Sequence, residues 1–233
     1  MPEISVLLTT AVTIAFVHTL IGIDHYIPFI VLGRANDWSV KKTLFIVFVC
    51  GVGHVLSSIL LGFAGIALSV GVSGIVDIES IRGEIATCFL IAFGLVYTIF
   101  GIRRAIKNRT HRHVAPDGST IMHTHTERSG EHEHESGKRK VNVFWGLFIL
   151  LVLGPCEPLI PILMYPAATH NNLALIAVTV SFAGCTIATM LIAVFIGLKG
   201  IRLIKVEKLE RYSHIFAGGA ILSCGLAVLL LPI

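Results

Sequence analysis

The chain has 233 residues, 55% of them hydrophobic and only 14% charged, with a mean hydropathy of +0.85, which is too apolar for a soluble domain of that length. Its net charge of +4 is not gathered into a basic patch interleaved with aromatics, so nucleic acid is excluded as a partner. Five cysteines, Cys50, Cys88, Cys156, Cys185 and Cys224, form an odd set without a C-x-x-C pair, which excludes a disulfide framework and makes small packing residues of them.

Apolar windows of the roughly 20 residues needed to cross a bilayer fall at about 4–33, 42–72, 84–102, 142–166, 173–198 and 213–232. They predict an all-α polytopic membrane protein with six transmembrane helices and the lipid bilayer as its surroundings. The first window lacks a basic leader and runs on to Leu32, so it is expected to be retained rather than cleaved. All 18 Lys and Arg except Arg82 lie between windows one and two, three and four, or five and six. Cytoplasmic loops keep positive charge, so these three connections are expected in the cytoplasm of a cytoplasmic (inner) membrane, with both termini outside.

The first window carries His18-Thr-Leu-Ile-Gly-Ile-Asp24-His25-Tyr-Ile-Pro28, two imidazoles and a carboxylate in a segment where ionisable groups are expensive. Gly22 and Pro28 bracket Asp24 and mark a place where the helix breaks. His18 and His25 are two turns apart and share a face, whereas Asp24 joins them only if the backbone unwinds. The second window sets Cys50, His54, Ser57 and Ser58 on one polar stripe. His54 lies about 13 residues beyond Lys41, hence roughly 20 Å into the membrane, close to the midplane. Asp77, Glu79, Arg82 and Glu84 read as a short, nearly neutral outer loop before the third helix.

The stretch 105–140 changes character. His111/His113, His123/His125 and His132/His134 form three H-x-H pairs among Glu127, Glu131, Glu133 and Glu135, with almost no large apolar residue. It cannot bury a core and is expected to be a disordered cytoplasmic loop whose histidines converge on a borderline transition metal. Beyond it, Leu153-Gly-Pro-Cys156-Glu157-Pro-Leu-Ile-Pro161 interrupts the fourth helix with three prolines around a second intramembrane carboxylate. The fifth helix bears Gly184, Cys185, Thr186 and Thr189. The sixth starts near His214 and packs through Gly218, Gly219 and Gly225.

The halves 1–104 and 141–233 match weakly. Pro28 on Pro161 sets Asp24 against Glu157, Gly53-His54 stands against Gly184-Cys185, and Phe93-Gly94-Leu95 against Cys224-Gly225-Leu226. Three helices following three must be oppositely oriented, so the expected layout is an inverted repeat with a broken, acid-bearing first helix in each half and a site between them. His18, Asp24, His25, His54, Glu157 and Cys156 are the candidate metal ligands, with Cys50, Ser57, Ser58 and Cys185 as adjuncts. Mixed imidazole and carboxylate donors suit nickel, cobalt, zinc or iron(II).

On these residues, His18, Asp24 and His25 followed by Cys50-Gly-Val-Gly-His54, the chain resembles the prokaryotic nickel/cobalt transporter family and its urease-accessory and sulfite-exporter-like relatives. The spacing here is H-x5-D-H, one residue longer than the H-x4-D-H of that family. The resemblance covers both halves through Leu153–Pro166 and implies a carrier rather than an enzyme: no catalytic or cofactor-binding residue, nickel or cobalt as substrate, and a histidine-rich cytoplasmic loop as in exporters of the group. Efflux is then slightly favoured over uptake, and a homodimer is common for carriers of this size. The same superfamily contains thiol-disulfide electron carriers of cytochrome c maturation, for which Cys156 beside Pro155 is the relevant residue, and sulfite-type anion exporters. A thiol relay needs a second nearby sulfur, and an anion exporter calls for buried Arg and helix N-termini.

Overall fold

The computed structural model describes residues 2–68, 72–107, 111–114, 120–123, 143–156, 158–203 and 212–230. They are almost entirely helical. In chain order the elements are α1 (Pro2–Ile21), a single 3-10 turn (Ile23–His25), α2 (Ile27–Ala35), α3 (Val40–Ala67), α4 (Val72–Lys107), strands β1 (His111–Val114) and β2 (Thr120–His123), α5 (Val143–Leu153), α6 (Leu159–Ala168), α7 (Asn172–Leu203) and α8 (Ser213–Leu230). Five segments are long and apolar enough to cross a membrane: Ile4–Ile21, Val40–Gly65, Ser73–Ile106, Asn172–Ile201 and Ser213–Leu230. Their outer faces carry large exposed apolar side chains, Phe45 at 66%, Val180 at 64% and Val96 at 61% among them, which water would penalise and lipid would not.

The chain breaks at two places, both marked by glycine or proline. At the first, α1 ends at Ile21, Gly22 N–H closes on His18 O at 2.9 Å, and the 3-10 turn carries Asp24 and His25 before Pro28 restarts a helix in the first turn of α2. At the second, α5 ends at Leu153 and α6 begins at Leu159, with Pro155 and Pro158 between them; Glu157 lies outside the described residues. The short α2, α5 and α6 are products of these breaks. Asp37, with φ of 50°, turns the chain from α2 into α3, a left-handed conformation that aspartate tolerates.

The outer loop expected from the sequence is instead part of α4. Asp77, Glu79, Arg82 and Glu84 are helical, because α4 starts at Val72 and runs for 36 residues, about 54 Å at 1.5 Å per residue. Between 105 and 140, the two four-residue strands pair antiparallel with His111 opposite His123 and His113 opposite Ile121. His125, His132 and His134 lie outside the described residues.

Two apolar clusters fill the interior. One contains Phe29, Leu32, Val47, Cys50, Leu147, Leu151, Met190 and Val194. The other contains Ala11, Ala15, Cys156, Leu159, Phe182 and neighbours. Helix α4 packs antiparallel on α8 at very short range, through glycines on both partners. A Cβ on Gly94 would stand 2.5 Å from Leu222 N and 2.8 Å from its Cα, and one on Gly225 would stand 2.7 Å from Ile91 Cγ1. Backbone cannot yield as a side-chain tip can, so Gly94→Ala is expected to lower stability by about 2–3 kcal/mol. Gly219→Ala, where nothing lies within 4 Å, is expected to be neutral. Thermal midpoints in detergent, followed by size-exclusion recovery, check both; equal midpoints for the two variants would contradict the close approach.

Candidate intramembrane histidine site

Four segments pass from one apolar cluster to the other at a common level: α1 between Ala15 and Ile23, α3 between Cys50 and Ile59, the second break between Leu151 and Cys156, and α7 between Phe182 and Met190. Polar side chains gather in this layer. His18 and Thr19 belong to α1, His54, Ser57 and Ser58 to α3, and Thr186 to α7.

The 3-10 turn brings His25 into the same place. Its ring centroid is 5.3 Å from that of His18 and 5.0 Å from that of His54, both edge-on. His25 is 4% exposed and His54 is fully buried. Unwinding after Gly22 therefore does what an unbroken helix could not: it keeps His18 and His25 together and adds Asp24, whose Oδ1 is 3.2 Å from His25 Nδ1. His25 Nδ1 also lies 3.1 Å from Gly22 O. Gly22 is required for space rather than conformation, since a Cβ there would collide with His25 Nδ1 and lie 2.7 Å from Cε1.

The tautomers follow from the partners. His25 Nδ1 faces only oxygen acceptors, and His54 Nδ1 lies 2.9 Å from Leu151 O, so each Nδ1 carries the proton and donates. In the neutral ring each Nε2 then carries the lone pair. Nε2 of His18, His25 and His54 is buried in all three cases with no hydrogen-bond partner. Holding Nδ1–H on a carbonyl or carboxylate while Nε2 stays open is the arrangement metal-ligating histidines use. Among the described residues, no group of three or more His, Cys, Asp or Glu side chains is arranged to hold a metal ion as it stands.

Cys50 packs in the first apolar cluster and Cys156 in the second. Cys185 Sγ points at Val12 O, 3.4 Å away. All five cysteines are free. Ser57 and Ser58 serve the broken helix instead: Ser57 Oγ donates to His54 O at 2.7 Å and is 3.0 Å from Val152 O, and Ser58 Oγ accepts from Arg82 Nη2 at 2.7 Å.

Sequence reasoning missed two features. Glu79 and Arg82 are three residues apart on α4 and reach the second break, Arg82 Nη1 lying 3.2 Å from Glu79 Oε1. The i, i+3 spacing of opposite charges was the available signal. At the far end of α2, Asn36 Nδ2 donates to Leu32 O and to Tyr97 OH, both at 2.9 Å, and the Tyr97 hydroxyl is hydrogen-bonded to His214 Nδ1 at 2.9 Å. That chain ties α2, α4 and α8 together across sequence separations that no local pattern reveals.

Fold and site together define a helical chain with a multi-pass membrane character and a buried polar layer containing three adjacent imidazoles. Comparison with protein families, with curated proteins and with solved structures finds no match.

Proposed function

We propose that the protein is a membrane transporter of divalent transition-metal cations, with nickel or cobalt favoured over zinc or iron(II). The observation that carries this is the set of three neighbouring imidazoles whose buried Nε2 atoms have no partner. A buried polar nitrogen without a partner is costly, and a borderline cation is what imidazole Nε2 lone pairs satisfy. His18, His25 and His54 supply the first donors and Asp24 the nearest negative charge. Glu157 and Cys156 of the second half complete the proposed ligand set during transport.

Six transmembrane segments in two inverted halves fit this function. Each of the two broken segments, α1 with α2 and α5 with α6, counts as one crossing. The packing supports the symmetry. Contacts of α1 with α7 are mirrored by those of α5 with α3, contacts of α2 with α8 by those of α6 with α4, and α3–α7 and α4–α8 join equivalent helices. Gly94 meets Leu222 while Gly225 meets Ile91, the pairs exchanging under the sequence alignment of the halves. Alternating access between the halves moves the cation past the midplane. The histidine pairs from His111 to His134 gather metal at the cytoplasmic side, which favours efflux over uptake, with both termini outside and a homodimer as the assembly.

A buried arginine does not make this an anion carrier. Arg82 Nε, Nη1 and Nη2 are each engaged, by Leu153 O, Glu79, and Ser58 with Gly154 O, and the Glu79 carboxylate already balances the guanidinium charge. Cellular nickel, cobalt and zinc content with and without the protein tests transport; identical contents for all three metals would refute it. The pH dependence has a fixed sign. Protons and metal compete for the same lone pairs, so affinity for Co2+ in purified protein is expected to fall about ten-fold or more from about pH 7.5 to about 5.5. Affinity that is flat or rises toward acid would remove the imidazoles from the ligand set.

A further inference from the structure

The second break leaves the last carbonyls of α5 at a helix end in an apolar interior, where an unmet polar group is costly, and the local backbone supplies only Gly154 N–H, at 3.0 Å from Leu150 O and 3.1 Å from Leu151 O. The chain meets them one after another from other helices. His54 Nδ1 takes Leu151 O at 2.9 Å, Arg82 Nε takes Leu153 O at 3.3 Å and Arg82 Nη2 takes Gly154 O at 2.6 Å, while Ser57 Oγ shares its one proton between Val152 O at 3.0 Å and His54 O at 2.7 Å. A guanidinium also matches the negative end of the helix dipole. On the far side of the break, Cys156 N–H donates to Glu79 Oε2 at 3.4 Å, while Glu79 Oε1 holds Arg82. One ion pair, its carboxylate fully buried and its guanidinium 15% exposed, therefore grips both lips of the break.

The first break is held differently: Leu20 O receives the Tyr26 hydroxyl at 3.2 Å, and His25, which lies 3.2 Å from Asp24 Oδ1, reaches Gly22 O at 3.1 Å, all within neighbouring turns of the same segment. Close approach at the second is built in: a Cβ on Gly83 would stand 2.9 Å from Pro155 Cγ, and one on Gly53 would stand 2.8 Å from Val152 Cγ2. These glycines bring α4 and α3 onto the same helix end, two carbonyls of which answer to Arg82 and one to His54.

We propose that Glu79 and Arg82 form the positioning clamp of the cation site, fixing the α5 terminus whose Leu151 carbonyl sets the tautomer and orientation of His54. The clamp touches none of the three imidazoles. It acts through the carbonyl row, two and three residues beyond the one His54 uses. This rests on the transport function proposed above, and two readouts separate the failures.

The first readout is the 15N spectrum of His54 in the apo protein; the second is Co2+ affinity with its visible absorption. In wild type, His54 is expected as a single Nδ1–H tautomer. Arg82→Gln should give a tautomer mixture and weaken Co2+ binding by about 10–100-fold, the range for losing a ligand's support. Arg82→Lys, which keeps the charge, should recover part of both. Glu79→Gln, which retains Arg82 and the shape of the pair, should shift both in the same direction to a smaller extent, and it stands in if Arg82→Gln fails to fold. Arg34→Gln, which removes only an exposed pair with Asp37, should change neither. A fixed His54 tautomer with unaltered Co2+ affinity in the Arg82 and Glu79 variants overturns the clamp and leaves the transport function standing. If wild type binds no Co2+, the transport function fails, and the His54 spectrum still decides whether the pair positions that ring.

Discussion

Cells producing His54→Ala are expected to match cells without the protein in nickel and cobalt content, with Co2+ affinity of the purified variant down by about 100-fold, the upper end for losing even a ligand's supporting partner. His54 is fully buried midway along α3 and its ring stands next to His25, so alanine removes a donor that no other described side chain can replace. The companion variant is Cys156→Ser, expected to keep at least about half of the transport, since a hydroxyl is close to isosteric with the thiol and His18, His25 and His54 are untouched. The pair of variants separates two chemistries. A thiol-disulfide carrier must exchange through a sulfur, so it would lose everything with Cys156→Ser and little with His54→Ala. The free state of all five cysteines gives no support to such a relay. Loss with Cys156→Ser and retention with His54→Ala would overturn the metal function.

Where the sequence was informative, it was so because the membrane interior makes exceptions conspicuous. His18, Asp24 and His25 stood out against an apolar run, and Gly22 between two histidines two turns apart pointed to the break that the 3-10 turn supplies. The interruption around Pro155 and Pro158 was equally legible, since proline removes a backbone donor wherever it stands. Two things were not. Four charged residues between Asp77 and Glu84 lowered the local hydropathy enough to read as a loop, whereas tertiary contacts with the second break hold Glu79 and Arg82 inside a helix. Ser57 and Ser58 share a stripe with His54, but the stripe did not reveal that one reaches a carbonyl of the second break and the other receives Arg82. A stripe identifies a face; which groups on it meet a ligand and which meet backbone depends on the partner helix.

Gly22→Ala is expected to abolish transport while leaving the protein folded, with Co2+ affinity lowered by about 100-fold. The backbone does not object to the change: Gly22 has φ of −68°, which any residue adopts. The obstacle is the His25 ring, whose Cε1 would lie 2.7 Å from the new methyl and whose Nδ1 would collide with it. A side chain in a packed interior escapes such overlap by moving away. In doing so His25 gives up Gly22 O and Asp24 Oδ1, the two acceptors that keep its proton on Nδ1, and turns Nε2 away from His18 and His54. Gly184→Ala is the control, since nothing lies within 4 Å of a Cβ there. Equal size-exclusion profiles with transport lost only in Gly22→Ala would tie function to the placement of one imidazole. Unimpaired transport by Gly22→Ala would mean that His25 does not bind the cation in the orientation its hydrogen bonds enforce.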